Sequence, residues 1–375
     1  GHPWVFSNEI DGIVKELPPG GAVDVYDSSG KHLGRGLANP KSLIAIRMTS
    51  RVKDDLDHAA FYAMRLRAAL AFRSPADTER TALRVVSSEG DFLPGFTLDK
   101  FGDYMIAQIT TLGMEQRKEL LQAAIVDVFA PKGVILRSNA RLRTLEGLEP
   151  DDCLWFGEVP DHINFEESGA TFTIDPMAGP ASTHFFDRTD HRFRAAKLCA
   201  GGSVLDVYAG AGTFGIIAQK MGATKVTAIE RSSDNCAMIA HNAAQNGFEE
   251  PSIYHGDSKK VMNALVIEGE RFDAVFVDPP SFAQNKAKAG SALRGYEEMN
   301  AVAMSVVKPG GLFFTSTCSV HVHNDRFFEM LNTAAAVAGV QLQQLWRTGA
   351  SSDHPGLLAM PETRYLRCVA FRVTL

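Results

Sequence analysis

The stretch VLDVYAGAGTFGIIAQKMGATKVTAIE, residues 204–230, decides the fold. An apolar run of strand length, Val204–Tyr208, leads into a Gly-rich turn, then a helix-length segment, then a second apolar run that closes on an acid, Glu230. Glycines at 210 and 212 let backbone N–H groups approach a ligand closely, and the helix that follows would present its N-terminus to it. A carboxylate at the end of the second strand can take both hydroxyls of a ribose. The candidate contacts of this segment are Asp206, Tyr208, Gly210, Gly212, Thr213, Phe214, Glu230 and Arg231. The pattern is the nucleoside-binding logic of open α/β sheets, and by itself it leaves NAD open.

Working outward from this unit, strands and helices alternate regularly from Ser203 on. Strands are expected at Val204–Tyr208, Val226–Glu230, Ser252–His255, Ala274–Val277, Leu312–Ser316, Leu342–Leu345 and Cys368–Val373. That is an α/β fold with a seven-stranded, doubly wound, mainly parallel sheet. Three details move the cofactor from NAD towards S-adenosylmethionine. Asp206 precedes the Gly-rich turn, where a phosphate would not want a carboxylate but the ammonium of a methionine moiety would. The third strand runs into HGDSKK, residues 255–260, which sets Asp257 and Ser258 where an adenine amino group could donate. The fourth ends in VFVDPPSF, residues 275–282, with Asp278 and Pro279 at the strand end. Each acid taken singly is as readily a helix N-cap or a solvated loop carboxylate; at the ends of successive strands they make a site.

The two prolines fix the turn that carries Asp278, and Phe282 behind them could stack on a planar base, with a buried aromatic in a proline turn as the competing reading. GLFFTSTCSVHV, residues 311–322, then brings Cys318 to the end of the fifth strand, beside the fourth. A lone strand-end cysteine is more often core filler than nucleophile; a neighbouring Asp-Pro-Pro raises the odds of catalysis. His321 and His323 lie close in sequence but read as surface residues, and the proton acceptor is not legible.

These motifs resemble a known family, the RlmI-like large-subunit ribosomal RNA methyltransferases that make 5-methylcytosine. The resemblance runs almost end to end: HPWVFS at 2–7, SEGDFLPGFTLDKFGD at 88–103, DPPSFAQNK at 278–286, RGYEEMN at 294–300, TSTCS at 315–319 and DHPGLLAMPETRYLRCVAFRV at 353–373. It implies a PUA domain that helps bind RNA, a central α+β domain, and a class I Rossmann-like methyltransferase domain in which Cys318 is the nucleophile; the second catalytic candidate, Asp278, would hydrogen-bond the amino or N3 edge of the base. Relatives that methylate guanine N7 keep the Asp-Pro-Pro-x-Phe block but lack the cysteine. Where the family reads Lys-Thr-Gly, two aromatics and Asp-Gln-Arg, this chain has ASTHFFDRT at 181–189. Phe185 and Asp187 match, so Phe185 joins the cofactor candidates; the Lys, Gly and Gln do not. Relative to the family the chain also begins a few residues late, as if a basic leader preceded it.

The rest of the chain fits that layout. Residues 1–66 alternate apolar and polar positions between turn residues, as in VDVYDSSGKHLGRGLANP at 23–40, and suggest a small β-barrel. Leu56–Phe72 has helical spacing and connects into residues 67–162, read as α+β. Strands are expected there at Leu83–Val86, Gly95–Leu98, Tyr104–Ile109 and Val134–Arg137, with a helix over Met114–Phe129. The acidic stretch Glu149–Glu158 reads as a linker. INFEESGATFTID, residues 163–175, reads as a hairpin that opens the third domain, 163–375.

Composition bounds the function. A chain of 375 residues with 45% hydrophobic and 22% charged residues is globular and long enough for two or three domains. Without a bilayer-length apolar run or a basic-then-apolar start it is expected to be cytoplasmic, with no membrane partner. Five dispersed cysteines without Cys-x-x-Cys pairs speak against zinc and structural disulfides. The net charge of -6 weighs against nucleic acid, since phosphates are held by Lys and Arg; Arg137, Arg141 and Arg143, or Lys286, Lys288 and Arg294, could still form a local basic patch. RNA, and large-subunit ribosomal RNA in particular, is the partner the resemblance implies; a homodimer is an option on which the sequence is silent. Two rivals stand beside the RNA cytosine methyltransferase. One is a methyltransferase acting on an exocyclic or ring nitrogen or a small molecule, with Cys318 merely packed. The other is a non-catalytic RNA-binding protein.

Overall fold

A computed structural model describes residues 1–73, 80–139, 141–177, 184–282 and 289–374. Lys286 and Lys288 of the expected basic patch, and Ala181, Ser182 and Thr183 of ASTHFFDRT, lie outside the described residues. The chain forms two compact units: the first holds 1–165, 174–186 and 352–363, the second 166–173, 187–351 and 364–375.

In the first unit the N-terminal β-rich segment makes a four-stranded antiparallel sheet of Trp4–Phe6, Ile44–Ser50, His32–Ala38 and Ala22–Tyr26, in that spatial order. A five-stranded sheet follows in chain order: Ala82–Ser87, Phe96–Phe101, Tyr104–Ile109, Gly133–Ser138 and Asp151–Gly157. Its one parallel pair, Tyr104–Ile109 with Gly133–Ser138, is joined by the helix Lys118–Phe129, as a parallel connection requires. The helix Ala59–Arg73 packs on Lys118–Phe129, and Leu37, Leu56, Phe61 and Met114 share one buried core. Residues 1–66 and 67–162, expected as separate domains, therefore fall in one unit.

Two expectations fail here for physical reasons. The acidic stretch 149–158 is not a linker but the edge strand Asp151–Gly157, paired with Gly133–Ser138. Its Cys153, Trp155 and Phe156 pack on the core, and its acids are neutralised by pairing, Asp151 with Lys118 and Asp152 with Arg137. The helix expected over Met114–Phe129 is broken into Leu112–Glu115 and Lys118–Phe129. Between them the buried Arg117 turns its guanidinium onto the carbonyls of Leu56, Gly20 and Gly113, and its backbone leaves the helical region at φ -111° and ψ 21°.

Beyond its residues 166–173, the second unit runs from α1 (Thr189–Ala196) through β1 (Ser203–Val207), α2 (Thr213–Lys220), β2 (Lys225–Glu230), α3 (Ser233–Gln245), β3 (Ser252–His255), α4 (Ser258–Ile267), β4 (Phe272–Val277), α5 (Ala289–Ser305), β5 (Val307–Thr317), α6 (Asn324–Ala338), β6 (Gln341–Thr348) and β7 (Arg367–Thr374). The seven strands stand in the order β3-β2-β1-β4-β5-β7-β6, and β7 runs opposite to the other six, so its pairings with β5 and β6 are both antiparallel. Central strands covered on both faces read as continuous apolar runs, and Leu205, Val207, Val275, Val277 and Phe313 are buried accordingly. The register aligns Val207 with Ile229 on one side and Val277 on the other, and Val277 with Thr315. The carboxyl ends of β1, β2, β4 and β5 therefore share one sheet edge, at the switch point where such folds bind ligands.

Candidate active site

The Gly-rich turn leaves β1 through Tyr208, whose φ of 64° lies in the left-handed region, with Gly210 at 55° and Gly212 at 77°. A side chain at Gly212 would meet Ile239 at 3.1 Å and be strained by that φ as well. Gly212 starts α2, and the first-turn amide of Gly215 donates to Asp206 Oδ2 at 3.0 Å. A Cβ on Gly215 would stand 2.8 Å from Val226 Cγ1, so glycine is what lets helix and carboxylate meet.

The acids along this edge are held by backbone amides. Glu230 Oε2 accepts from Gly210 N at 2.8 Å, and its Oε1 from Arg231 N and Ser232 N at 2.8 and 2.9 Å. Asp257 is exposed and caps α4 by accepting from Lys260 N, while Ser258 is buried beside the Tyr208 hydroxyl. Asp206 is buried; desolvation, with Asp278 and Glu230 nearby, pushes its carboxyl up to about 7 against the bond from Gly215. Three carboxylates gathered at one edge, one of them destabilised as an anion, suit a ligand that brings positive charge. S-adenosylmethionine, with a sulfonium and an ammonium against one carboxylate, fits that demand; a dinucleotide does not.

Not every expected contact uses its side chain. Phe214 is buried and stacks on Phe276 at 3.9 Å, so only its backbone faces the helix N-terminus. Phe185 is more than half exposed and belongs to the first unit, whereas every other candidate is in the second. Pro279 is buried and Arg231 exposed. Phe282 is half-buried and packs one side of its ring against Tyr296, with centroids 4.5 Å apart. His321 and His323 are exposed.

At the ends of β4 and β5 the arrangement changes character. Asp278 is held by side chains: Ser316 Oγ donates to its Oδ1 and Arg188 Nε pairs with its Oδ2. The Arg188 Nη1 also donates to both oxygens of Asp187, at 2.8 and 2.9 Å, and Tyr365 OH donates to Asp187 Oδ2 at 2.8 Å. Burial works against the Arg188 charge, but Asp278 and Asp187 outweigh it and hold it firmly protonated. Cys318 sits against this group. Burial raises its pKa above the ordinary thiol value, the Arg188 guanidinium hydrogen-bonds it and pulls it down, and Asp278 and Asp187 push it up. Cys368, opposite Ser316 in the β5–β7 register, is fully buried and its pKa is raised well above that of a free thiol, chiefly by burial, which leaves it inert.

The sequence reading missed Arg188 and Ser316. Ser316 lies inside the quoted TSTCS block, and alternation along β5 would have paired it with Cys318 on one face. Arg188 carried one signal: it occupies the position of the Gln in the resembled Asp-Gln-Arg.

Residues 1–51 match the PUA-like domain family, and residues 173–310 match the family described as conserved hypothetical protein 95. Among solved structures, the fold is similar to that of SMU.776, a provisionally assigned methyltransferase determined with SAH, at a TM-score of 0.85 and 18% identity over 99% of this chain and 96% of that one. A provisionally assigned SAM-dependent methyltransferase from Streptococcus mutans gives 0.83 and 16%, over 99% and 95%. The fold is thus that of the SAM-dependent methyltransferases. Among curated proteins, ribosomal RNA large subunit methyltransferase I of Shewanella denitrificans is 35% identical over 99% of this chain and 95% of its own length, and that of Photobacterium profundum 34% over 98% and 94%. With likeness of that degree along the whole chain, and the nucleoside edge and Asp-Pro-Pro turn in place, the protein belongs to the ribosomal RNA large subunit methyltransferase I family.

Proposed function

We propose that this protein methylates carbon 5 of a cytosine in large-subunit ribosomal RNA, with Cys318 as nucleophile. It is an S-adenosylmethionine-dependent methyltransferase; what is proposed is the target atom and the covalent route. One observation carries the reading: Cys318 directly follows β5, two residues beyond the Ser316 that donates to Asp278, and Asp278, at the end of β4, is paired with the buried Arg188. A cysteine serving only as core filler needs neither a counter-charge nor a neighbouring carboxylate.

Carbon 5 of cytosine is too poor a nucleophile to take a methyl group unaided. Cys318 Sγ, as thiolate, adds to carbon 6, and the electron pair of the 5,6 double bond moves to carbon 5. Bound S-adenosylmethionine supplies the electrophilic methyl group. Loss of the carbon 5 proton returns the pair to the ring and expels Cys318. Asp278 orients the base through its amino and N3 edge; each carboxylate oxygen has a second lone pair, so the bonds from Ser316 and Arg188 leave acceptor capacity. Asp206, Tyr208, Gly210, Gly212, Thr213, Glu230, Arg231, Asp257, Ser258 and Pro279, with the backbone at Phe214, would hold the cofactor. The PUA-like region would grip the RNA, from which the base must be unstacked. Its place is the cytoplasm, and among the described residues no helix is long and apolar enough to cross a membrane.

The test is RNA carrying 5-fluorocytidine, in which fluorine cannot leave as the proton does. A denaturation-resistant adduct mapped to Cys318 is expected, absent in Cys318→Ala, along with loss of methylation by at least about a thousandfold and retained cofactor affinity. Full methylation by Cys318→Ala would overturn the reading in favour of a nitrogen target.

A further inference from the structure

We propose that Arg188 is a positioning residue whose guanidinium is the shared counter-charge of Asp278 and of the Cys318 thiolate. The inference rests on the reading of Cys318 as nucleophile. Arg188 stands just ahead of α1, and its side chain is only 6% exposed. A buried guanidinium is stable only when its charge is met, and here two carboxylates meet it: Asp187 through Nη1 and Asp278 through Nε. Two anions against one cation leave the cluster negative before the thiol ionises.

The groups facing Cys318 come from every element around it. Asp187 and Arg188 precede α1, and Asp278 follows β4. Cys368 on β7 shares the same charged neighbours but is itself fully buried. Tyr365 is committed to Asp187, and Arg367 to Asn324 and to the carbonyls of Ser319 and Tyr365. Among the described residues, Arg188 is thus the cation that acts on the sulfur, against burial and two carboxylates. Without it, both carboxylates and the low polarity of the site would oppose the thiolate together. With it, a thiolate can form within reach of the Asp278 that orients the base, and one side chain aligns nucleophile and base-binding acid.

The test is the rate at which iodoacetamide alkylates Cys318, read by peptide mass spectrometry across pH in wild type, Arg188→Gln and Arg188→Lys, with melting temperature and cofactor affinity measured alongside. Arg188→Gln is expected to raise the alkylation midpoint by about one pH unit or more and slow the reaction near about pH 8 roughly tenfold, with cofactor affinity unchanged. Arg188→Lys is expected to restore most of the shift. An unchanged profile in Arg188→Gln, or a lysine variant that behaves like the glutamine one, overturns the proposal. Should Arg188→Gln fail to fold, the lysine variant decides: a profile within a few tenths of a unit of wild type supports a charge role, and a shift of about one unit refutes it. The two readings separate cleanly. Full methylation by Cys318→Ala removes the nucleophile whatever the alkylation profile; an inactive Cys318→Ala with an unmoved Arg188→Gln profile removes the role of Arg188 alone.

Discussion

The two halves of the sheet edge hold their acids by different means. On the β1–β3 side, backbone amides do the holding, often from close by in sequence: Gly215 for Asp206, Arg231 and Ser232 for Glu230, Lys260 for Asp257. On the β4–β5 side, Asp278 is held by side chains brought from far away, Ser316 on β5 and Arg188 ahead of α1. Backbone donors come with the turn and survive most substitutions. Side-chain donors vanish with a single one. On the proposed reading, the first half would be a robust cradle for a cofactor and the second a pocket open to change by single substitutions.

The contrast is broken most severely at Asp278. Asp278→Ala leaves Arg188 buried with one carboxylate instead of two and the Ser316 hydroxyl without its acceptor. We expect a stability loss of about 3 kcal/mol in urea unfolding, together with loss of methylation. Wild-type stability in this variant would show the network to be energetically idle.

On the amide-held side the expected effect is on binding. Glu230→Ala should weaken S-adenosylmethionine by about 1–3 kcal/mol in calorimetry, because a charged acceptor for two ribose hydroxyls is lost while the amides it releases can turn to water. Unchanged affinity in a folded variant would remove Glu230 from the site.

The smallest effect sharpens the electrostatics of the cradle. With the Asp206 carboxyl at about 7, the folded protein keeps a proton that the unfolded chain has already lost above about pH 4. The raised value means that stability contributed by this group falls as pH rises from about 4 to about 7, then levels off. Asp206→Asn should flatten that slope in melting experiments. For the same reason wild type should bind the cationic cofactor a few-fold more weakly near about pH 6 than near about pH 8, and the variant should lose the dependence. A pH-independent wild-type affinity would mean that Asp206 is not the group that meets the cofactor's charge.

Legibility followed the same division. The strand Ser252–His255 was readable to the residue, and the central strands β1, β4 and β5 by their apolar runs, because a strand buried on both faces must be apolar throughout. The strand Asp151–Gly157 was not: as an edge strand its acids answer to Lys118 and Arg137 across the fold, which no local pattern announces. The break at Gln116–Arg117 was hidden likewise, since it is imposed by carbonyls of Gly20 and Leu56 that lie far upstream. Phe214 was legible as a residue of the helix start, but its stack on Phe276 was not, because that contact depends on strand order.

By itself the sequence determined the α/β alternation, the Gly-rich turn, the acids at the ends of β1, β2 and β4, and the cysteine at the end of β5. Each follows from periodicity, turn chemistry or a residue's place at a strand end, and these act over a few residues. Only the tertiary structure decided that Arg188 pairs with Asp278, that Ser316 holds the other carboxylate oxygen, and that Asp206 is buried deeply enough to resist ionisation. The reason is physical: burial and Coulomb energy depend on distance in space, and chain crossovers set those distances independently of spacing along the sequence.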